Sequence, residues 1–165
     1  GILGNKNGEW VNEESLVAPT SENSQILYET EQVLLNVQIQ DLKVCIIRLA
    51  GIYGTRRELI NIFRNISGAT RPGTGKDFTN WVHLEDIVNA LELIRLKQLQ
   101  GIYHLSSDET LTMKEFFDRL FAKHNLPSIQ WNEDNSNSLR PYNLRLSNQK
   151  IINAGLKLIH PQILF

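Results

Sequence analysis

Lys43-Val44-Cys45-Ile46-Ile47-Arg48-Leu49 is the stretch that decides the fold. Its apolar centre, Val44 to Ile47, lacks the in–out alternation of a half-exposed strand. A strand without alternation expects cover on both faces, the situation of a parallel sheet flanked by helices. Gly51 and Gly54 close the run, and Gly101-Ile102-Tyr103-His104-Leu105-Ser106 reads as a second buried strand. Val44, Ile46, Ile102 and Leu105 are therefore predicted to lie in two adjacent parallel strands joined by a right-handed crossover. The intervening sequence supplies helices for it. Leu59, Ile60, Phe63 and Ile66 fall at helical spacing, and Trp81-Val82-His83-Leu84 reads as a short extended piece. Glu85-Asp86 then place negative charge in the first turn of a helix bearing Ile87, Ala90, Leu91 and Ile94 on one face.

Working outward, residues 1–20 read as loop, punctuated by Gly4, Gly8 and Pro19. Thr20-Ser21 offers an N-cap for a helix over about residues 22–38, with Ile26, Val33, Leu34 and Val37 on one face. Residues 68–79 read as a Gly/Pro loop. Thr112-Met113-Lys114-Glu115 is a capping box, followed by Met113, Phe116, Phe117, Leu120 and Phe121 on one helical face. Residues 132–143 are polar and loop-like, and Ser147 is the expected cap of a last short helix stopped by Gly155. The order of elements predicts an α/β fold with parallel pairing.

The chain has 165 residues, the size of one domain. Lys and Arg total 17 against 18 Asp and Glu, a net charge of −1 that gives no electrostatic basis for binding nucleic acid or a membrane surface. Cys45 is the single cysteine, so there is no internal disulfide. The four histidines lie far apart, no zinc-type spacing occurs, and no apolar run approaches the ~20 residues of a membrane span. These features are those expected of a reduced, cytoplasmic protein. Gly73-Thr74-Gly75-Lys76 is not a phosphate loop, because Thr70 stands where that motif needs glycine and Asp77 where it needs Ser or Thr. No G-x-G-x-x-G occurs anywhere, so this chain lacks the dinucleotide pyrophosphate cradle.

Three segments acquire meaning together: Arg48-Leu49-Ala50-Gly51-Ile52-Tyr53-Gly54, Trp81-Val82-His83-Leu84-Glu85-Asp86-Ile87 and Gly101-Ile102-Tyr103-His104-Leu105-Ser106. In this order they resemble the C-terminal half of the extended short-chain dehydrogenase/reductases, the NAD-dependent epimerase/dehydratase superfamily. Gly8-Glu9-Trp10-Val11-Asn12-Glu13, Arg145-Leu146-Ser147-Asn148 and Gly155 through Pro161 resemble its nucleoside-diphosphate-sugar epimerase-like subgroup. The resemblance covers essentially the whole chain. It implies a partial Rossmann-like unit, comprising the last two parallel strands with flanking helices, plus a small C-terminal substrate lobe. Residues 1–57 and 80–107 would be Rossmann-side elements, and 58–79 and 108–165 the lobe. The N-terminal cofactor-binding half would be absent. The implied activity is that of an NAD- or NADP-dependent nucleotide-sugar epimerase or dehydratase, with this chain inactive alone. A non-catalytic remnant or binding module of the same fold is the alternative.

Within the resemblance, Ala50, Gly51 and Ile52 fall where the family's backbone faces the nicotinamide. Arg56, Arg57 and Arg145 are candidates for a diphosphate-bearing substrate, because guanidinium binds phosphate oxygens bidentately. The family's catalytic Tyr falls on Asn23 and its Lys on Leu27, neither of which does acid–base work at neutral pH. Leu3 replaces a further family Tyr, and Tyr28 sits one residue off the position of a substitute base. His83 is read as fixing the start of the helix at Asp86. The missing sheet would leave the helix near 22–38 short of cover and the 43–49 strand with an open edge. Self-association, or a complementary N-terminal half, is the expected consequence. Calorimetric titration of the 165-residue chain with NAD is expected to give a dissociation constant weaker than micromolar, since the chain lacks the glycines and helix N-terminus that hold pyrophosphate; micromolar or tighter binding contradicts this.

Overall fold

The computed structural model describes residues 1–37, 42–133 and 142–165. Its central pair is β2 (Cys45–Leu49) and β7 (Gly101–Leu105), parallel and in register from Cys45 opposite Gly101 to Leu49 opposite Leu105. Ile46 faces Ile102 across the pair, as the buried-strand pattern predicts.

At Ala50 the chain changes partner. The Ala50 N–H still donates to Leu105 O (3.0 Å), whereas the next N–H, that of Gly51, donates to Asn80 O (3.0 Å). Beyond this point β3 (Gly51–Tyr53) runs parallel to β6 (Trp81–His83). The crossover from β3 to β6 passes through α2 (Leu59–Phe63) and a 3₁₀ turn at Arg64–Ile66. From β6, α3 (Leu84–Lys97) leads into β7. The helix α1 (Glu22–Leu35) begins at a reciprocal cap between Ser21 and Ser24. It ends earlier than residue 38, which lies outside the described residues. Its Ile26, Leu27, Val33 and Leu34 are exposed.

Two segments read as loops contain strands. Residues 1–20 hold β1 (Trp10–Val11), parallel to β10 (Arg145–Leu146). Residues 68–79 hold β4 (Thr70–Pro72), parallel to β9 (Gln130–Asn132), and β5 (Phe78–Thr79), antiparallel to β8 (Leu111–Thr112). Strands of two or three residues are too short to show a period, and their partners lie far away in sequence. The loop expected over residues 132–143 falls largely outside the described residues.

Capping is legible in one place and shifted in another. α4 (Met113–Lys123) starts at the expected box, with Thr112 Oγ1 accepting from Glu115 N–H (3.3 Å) and Glu115 Oε2 accepting from Thr112 N–H (2.9 Å). α5 (Gln149–Asn153) starts at Asn148, one residue after the expected Ser147. Asn148 does not cap with its side chain, which instead donates to Ser106 O and Asp108 Oδ1, both at 2.9 Å. A tertiary tie has displaced the local one.

Two main apolar clusters result. Val82, Ile87, Ala90, Tyr103, Leu105, Ile151 and Leu156 pack around the β2–β7 pair. The second gathers Tyr53, Leu59, Ile60, Leu111, Phe116, Phe117, Leu120, Phe121, Ile129 and Ile163. Phe116 is its centre, fully buried and stacked on Trp81 at 5.1 Å between ring centroids, with Phe63 edge-on at 5.7 Å. Phe116→Ala is expected to lower stability by about 3–5 kcal/mol. A shift of the urea midpoint equivalent to less than about 1 kcal/mol would show that this ring is not central to the core.

Candidate functional site

A cleft of about 600 Å³ opens where the strand line changes partner. One wall is α1, through Leu27, Thr30, Glu31 and Leu34, and the floor is Ile46 to Gly51. Residues 1–4, Phe78 to Trp81, and Tyr142, Leu144 and Leu146 complete it.

The polar anchor of the α1 wall is an ion pair. Arg48, projecting from β2, donates through Nε to Glu31 Oε1 (3.0 Å) and through Nη2 to Glu31 Oε2 (2.7 Å), with both side chains about nine-tenths buried. Arg48 Nη1 also lies 3.5 Å from Nε2 of His104 on β7. Glu13 joins the group by accepting the His104 backbone N–H at 2.7 Å. His104 is fully buried and its Nδ1 has no hydrogen-bond partner. Burial pushes the His104 imidazole down to about 4; Arg48 acts in the same direction, against Glu13 and Glu31.

Asn80 fixes the opposite side. Its Nδ2 donates to Leu144 O (2.9 Å) and its Oδ1 accepts from Leu146 N–H (2.8 Å), clamping the strand that follows Tyr142. Beside it, the Trp81 ring lies so close to Gly51 that a Cβ there would come within 2.7 Å of Cε3. The glycine at this position makes room for the indole.

The residues singled out in the sequence do not all converge. Ala50 and Gly51 line the cleft; Ile52 does not, and its carbonyl accepts from Arg57 Nε at 3.0 Å. Arg56 has a left-handed backbone (φ 67°), and both it and Arg57 are exposed away from the lining. Arg145 lies alongside the cleft, its guanidinium 4.8 Å from the Phe78 ring and 5.1 Å from that of Trp10, with Nε donating to Gly8 O at 2.7 Å. Leu3 and Leu27 line the cleft, while Asn23 is exposed outside it and Tyr28 is not part of the wall. His83 caps α3, its Nδ1 accepting from Glu85 N–H at 3.3 Å. Asn80, Trp81, Tyr142 and the Glu31–Arg48 contact escaped the sequence reading. Arg48 stood in a quoted motif, but nothing in that motif says that it meets Glu31.

No protein-family model matches the chain. A dTDP-D-glucose 4,6-dehydratase of Dictyostelium discoideum is 29% identical over 106 residues, which are 59% of this chain and 24% of that protein. Among solved structures, a conserved protein of unknown function from Silicibacter pomeroyi superposes with a TM-score of 0.81 at 24% identity, over 98% of this chain and 58% of that one. DesIV, a dTDP-glucose 4,6-dehydratase of Streptomyces venezuelae solved with NAD, gives a TM-score of 0.77 at 21% identity, over 99% of this chain and 53% of that one. The chain shares the fold of the matching part of these two solved proteins. The chain spans about half the length of these solved relatives. Among the described residues, no helix is long and apolar enough to cross a membrane.

For a dinucleotide of the kind DesIV holds, this chain offers part of one wall. Ala50 is small, Leu27 lines the cleft with hydrocarbon, and Trp81 fills the space that a side chain at Gly51 would take. These residues do not by themselves make a dinucleotide site, and no hydride-transfer step follows from them.

The His104 pKa carries a prediction. Its folded value, about 4, lies below the unfolded 6.5, so the unfolded chain binds the extra proton first as pH falls. The stabilisation is fully present above pH 6.5 and is lost between about 6.5 and 4. His104→Gln should flatten that part of the stability–pH curve in urea titrations; an unchanged slope would rule out His104 as its source.

Proposed function

We propose that this chain is the substrate-side part of an NAD(P)-dependent enzyme acting on a nucleotide sugar, as an epimerase or dehydratase. The observation that carries the reading is the cleft at the Ala50–Gly51 partner switch, in a fold shared with a dTDP-glucose 4,6-dehydratase. The dinucleotide would supply reversible hydride transfer at a sugar carbon. Ala50 would leave the floor shallow enough for a ring to approach. Arg145, beside the cleft and held by Gly8 O and two aromatic rings, would bind the diphosphate. None of the three arginines lines the cleft, and Arg145 is set apart from Arg56 and Arg57 by its contact with Phe78, which does. A cytoplasmic setting belongs to the same proposal. So does cover for the exposed α1 residues by the remaining sheet of a longer protein or by a second copy.

A second reading is favoured by Asn23 and Leu27. With an amide outside the cleft and hydrocarbon inside it, the same fold would bind its ligand without turning it over. Calorimetry of the full-length protein with UDP-glucose and dTDP-glucose, with and without NAD, tests both. The expected result is binding of at least one nucleotide sugar, weakened about 10–100-fold by Arg145→Met and unchanged by Arg56→Met. Binding without turnover selects the second reading, and failure to bind any nucleotide sugar overturns both.

A further inference from the structure

His83, Glu85 and His160 come from three places: the end of β6, the first turn of α3, and the segment after α5. One donor atom from each lies within 4.8 Å of the other two. Glu85 Oε2 is 2.6 Å from His160 Nε2 and 3.9 Å from His83 Nδ1, and the two imidazole centroids are 3.9 Å apart. Around a tetrahedral zinc-type cation, with bonds of about 2.0–2.1 Å, neighbouring donors stand about 3.3 Å apart. The observed separations bracket that spacing, so rotamer-scale adjustment brings the three donors onto one ion.

The surroundings fit a cation. Asp86 is fully buried next to Glu85 and accepts the backbone N–H groups of Ile159 (2.6 Å) and His160 (3.2 Å), with no Lys or Arg ion pair among the described residues. Two carboxylates therefore flank two imidazoles. The backbone is also fixed. The same Asp86 bonds hold His160 in place, and Asn89 Nδ2 donates to Lys157 O at 2.8 Å. The His83 ring is wedged edge-on against Tyr53 at 5.1 Å, and a Cβ on Gly54 would sit 3.1 Å from its Nε2.

We propose that His83, Glu85 and His160 form a binding site for a divalent cation of the zinc class, with water or a fourth donor completing the shell. The donor set of two imidazoles and one carboxylate suits zinc, cobalt or nickel rather than calcium or magnesium. None of the three residues lines the cleft, so the ion is a clip between the C-terminal segment and the β6–α3 junction. The exposed side of Glu85 leaves room for water. The cation replaces the long Glu85 N–H contact to His83 Nδ1 as that nitrogen's partner.

Cobalt(II) titration of the full-length protein, read by visible absorbance, and zinc titration, read by calorimetry, test the site. The expected result is one equivalent bound with a micromolar dissociation constant, tetrahedral-type d–d bands, and a Tm raised by about 5–10 °C at a hundredfold excess over Kd. Glu85→Gln and His160→Asn should each weaken binding at least 10-fold. His83→Asn keeps an N-cap acceptor for α3 and should weaken it likewise, while His124→Ala, on a distant histidine, should not. Circular dichroism confirms that each variant is folded. Binding weaker than about 100 μM, or binding insensitive to all three substitutions, overturns the proposal.

Discussion

Two parallel neighbours cannot be joined by a tight turn, and β2 and β7 are parallel neighbours. The chain leaving Leu49 must travel through residues 50–100 before it can lie beside itself again. It does so by breaking its strand line at Ala50. One N–H stays with Leu105 and the next goes to Asn80, so β3 diverges toward β6 while β2 stays with β7. The cleft is the space opened by that divergence. Asn80 therefore serves both sides of the molecule: its backbone receives Gly51 and its side chain clamps the strand that carries Leu144 and Leu146.

α1 is held against this frame chiefly by charge. Its Ile26, Leu27, Val33 and Leu34 are exposed, and among the described residues its buried ion pair is Glu31 to Arg48. A buried ion pair adds little net stability over an apolar pair of the same shape, but breaking it leaves an uncompensated charge. Its geometric effect is larger than its energetic one. The two-bonded fork fixes the rotation of α1 and hence which side chains face the cleft.

The sequence was legible where several residues repeat one physical requirement. Val44 to Ile47 and Gly101 to Leu105 announced adjacent parallel strands, though β2 starts at Cys45 and is half-buried, and Thr112 with Glu115 announced the α4 cap, because each pattern is local. It was silent where the requirement is tertiary. β1, β4 and β5 have two or three residues each and exist through partners 135, 60 and 32–34 positions away, at Arg145, Gln130 and Leu111–Thr112. Asn148 stood directly after the expected cap Ser147, yet its side chain is committed to Ser106 and Asp108. The site was legible in the same proportion. The Ala50–Gly51 floor followed from a motif, whereas the place of Tyr142 and the Glu31–Arg48 contact depended on how distant segments meet.

The β1–β10 pair also bears on how the molecule is made. Trp10 and Val11 are synthesised 135 residues before their hydrogen-bonding partners at Arg145 and Leu146. At about 5–20 residues per second, the N-terminal strand waits roughly 7–27 s for its mate. Val11, nearly fully buried in the finished fold, spends that interval uncovered together with Leu3. Vectorial synthesis thus keeps this cluster open until Leu144 and Leu146 are made, and gives the nascent chain a surface that a chaperone can recognise while it grows.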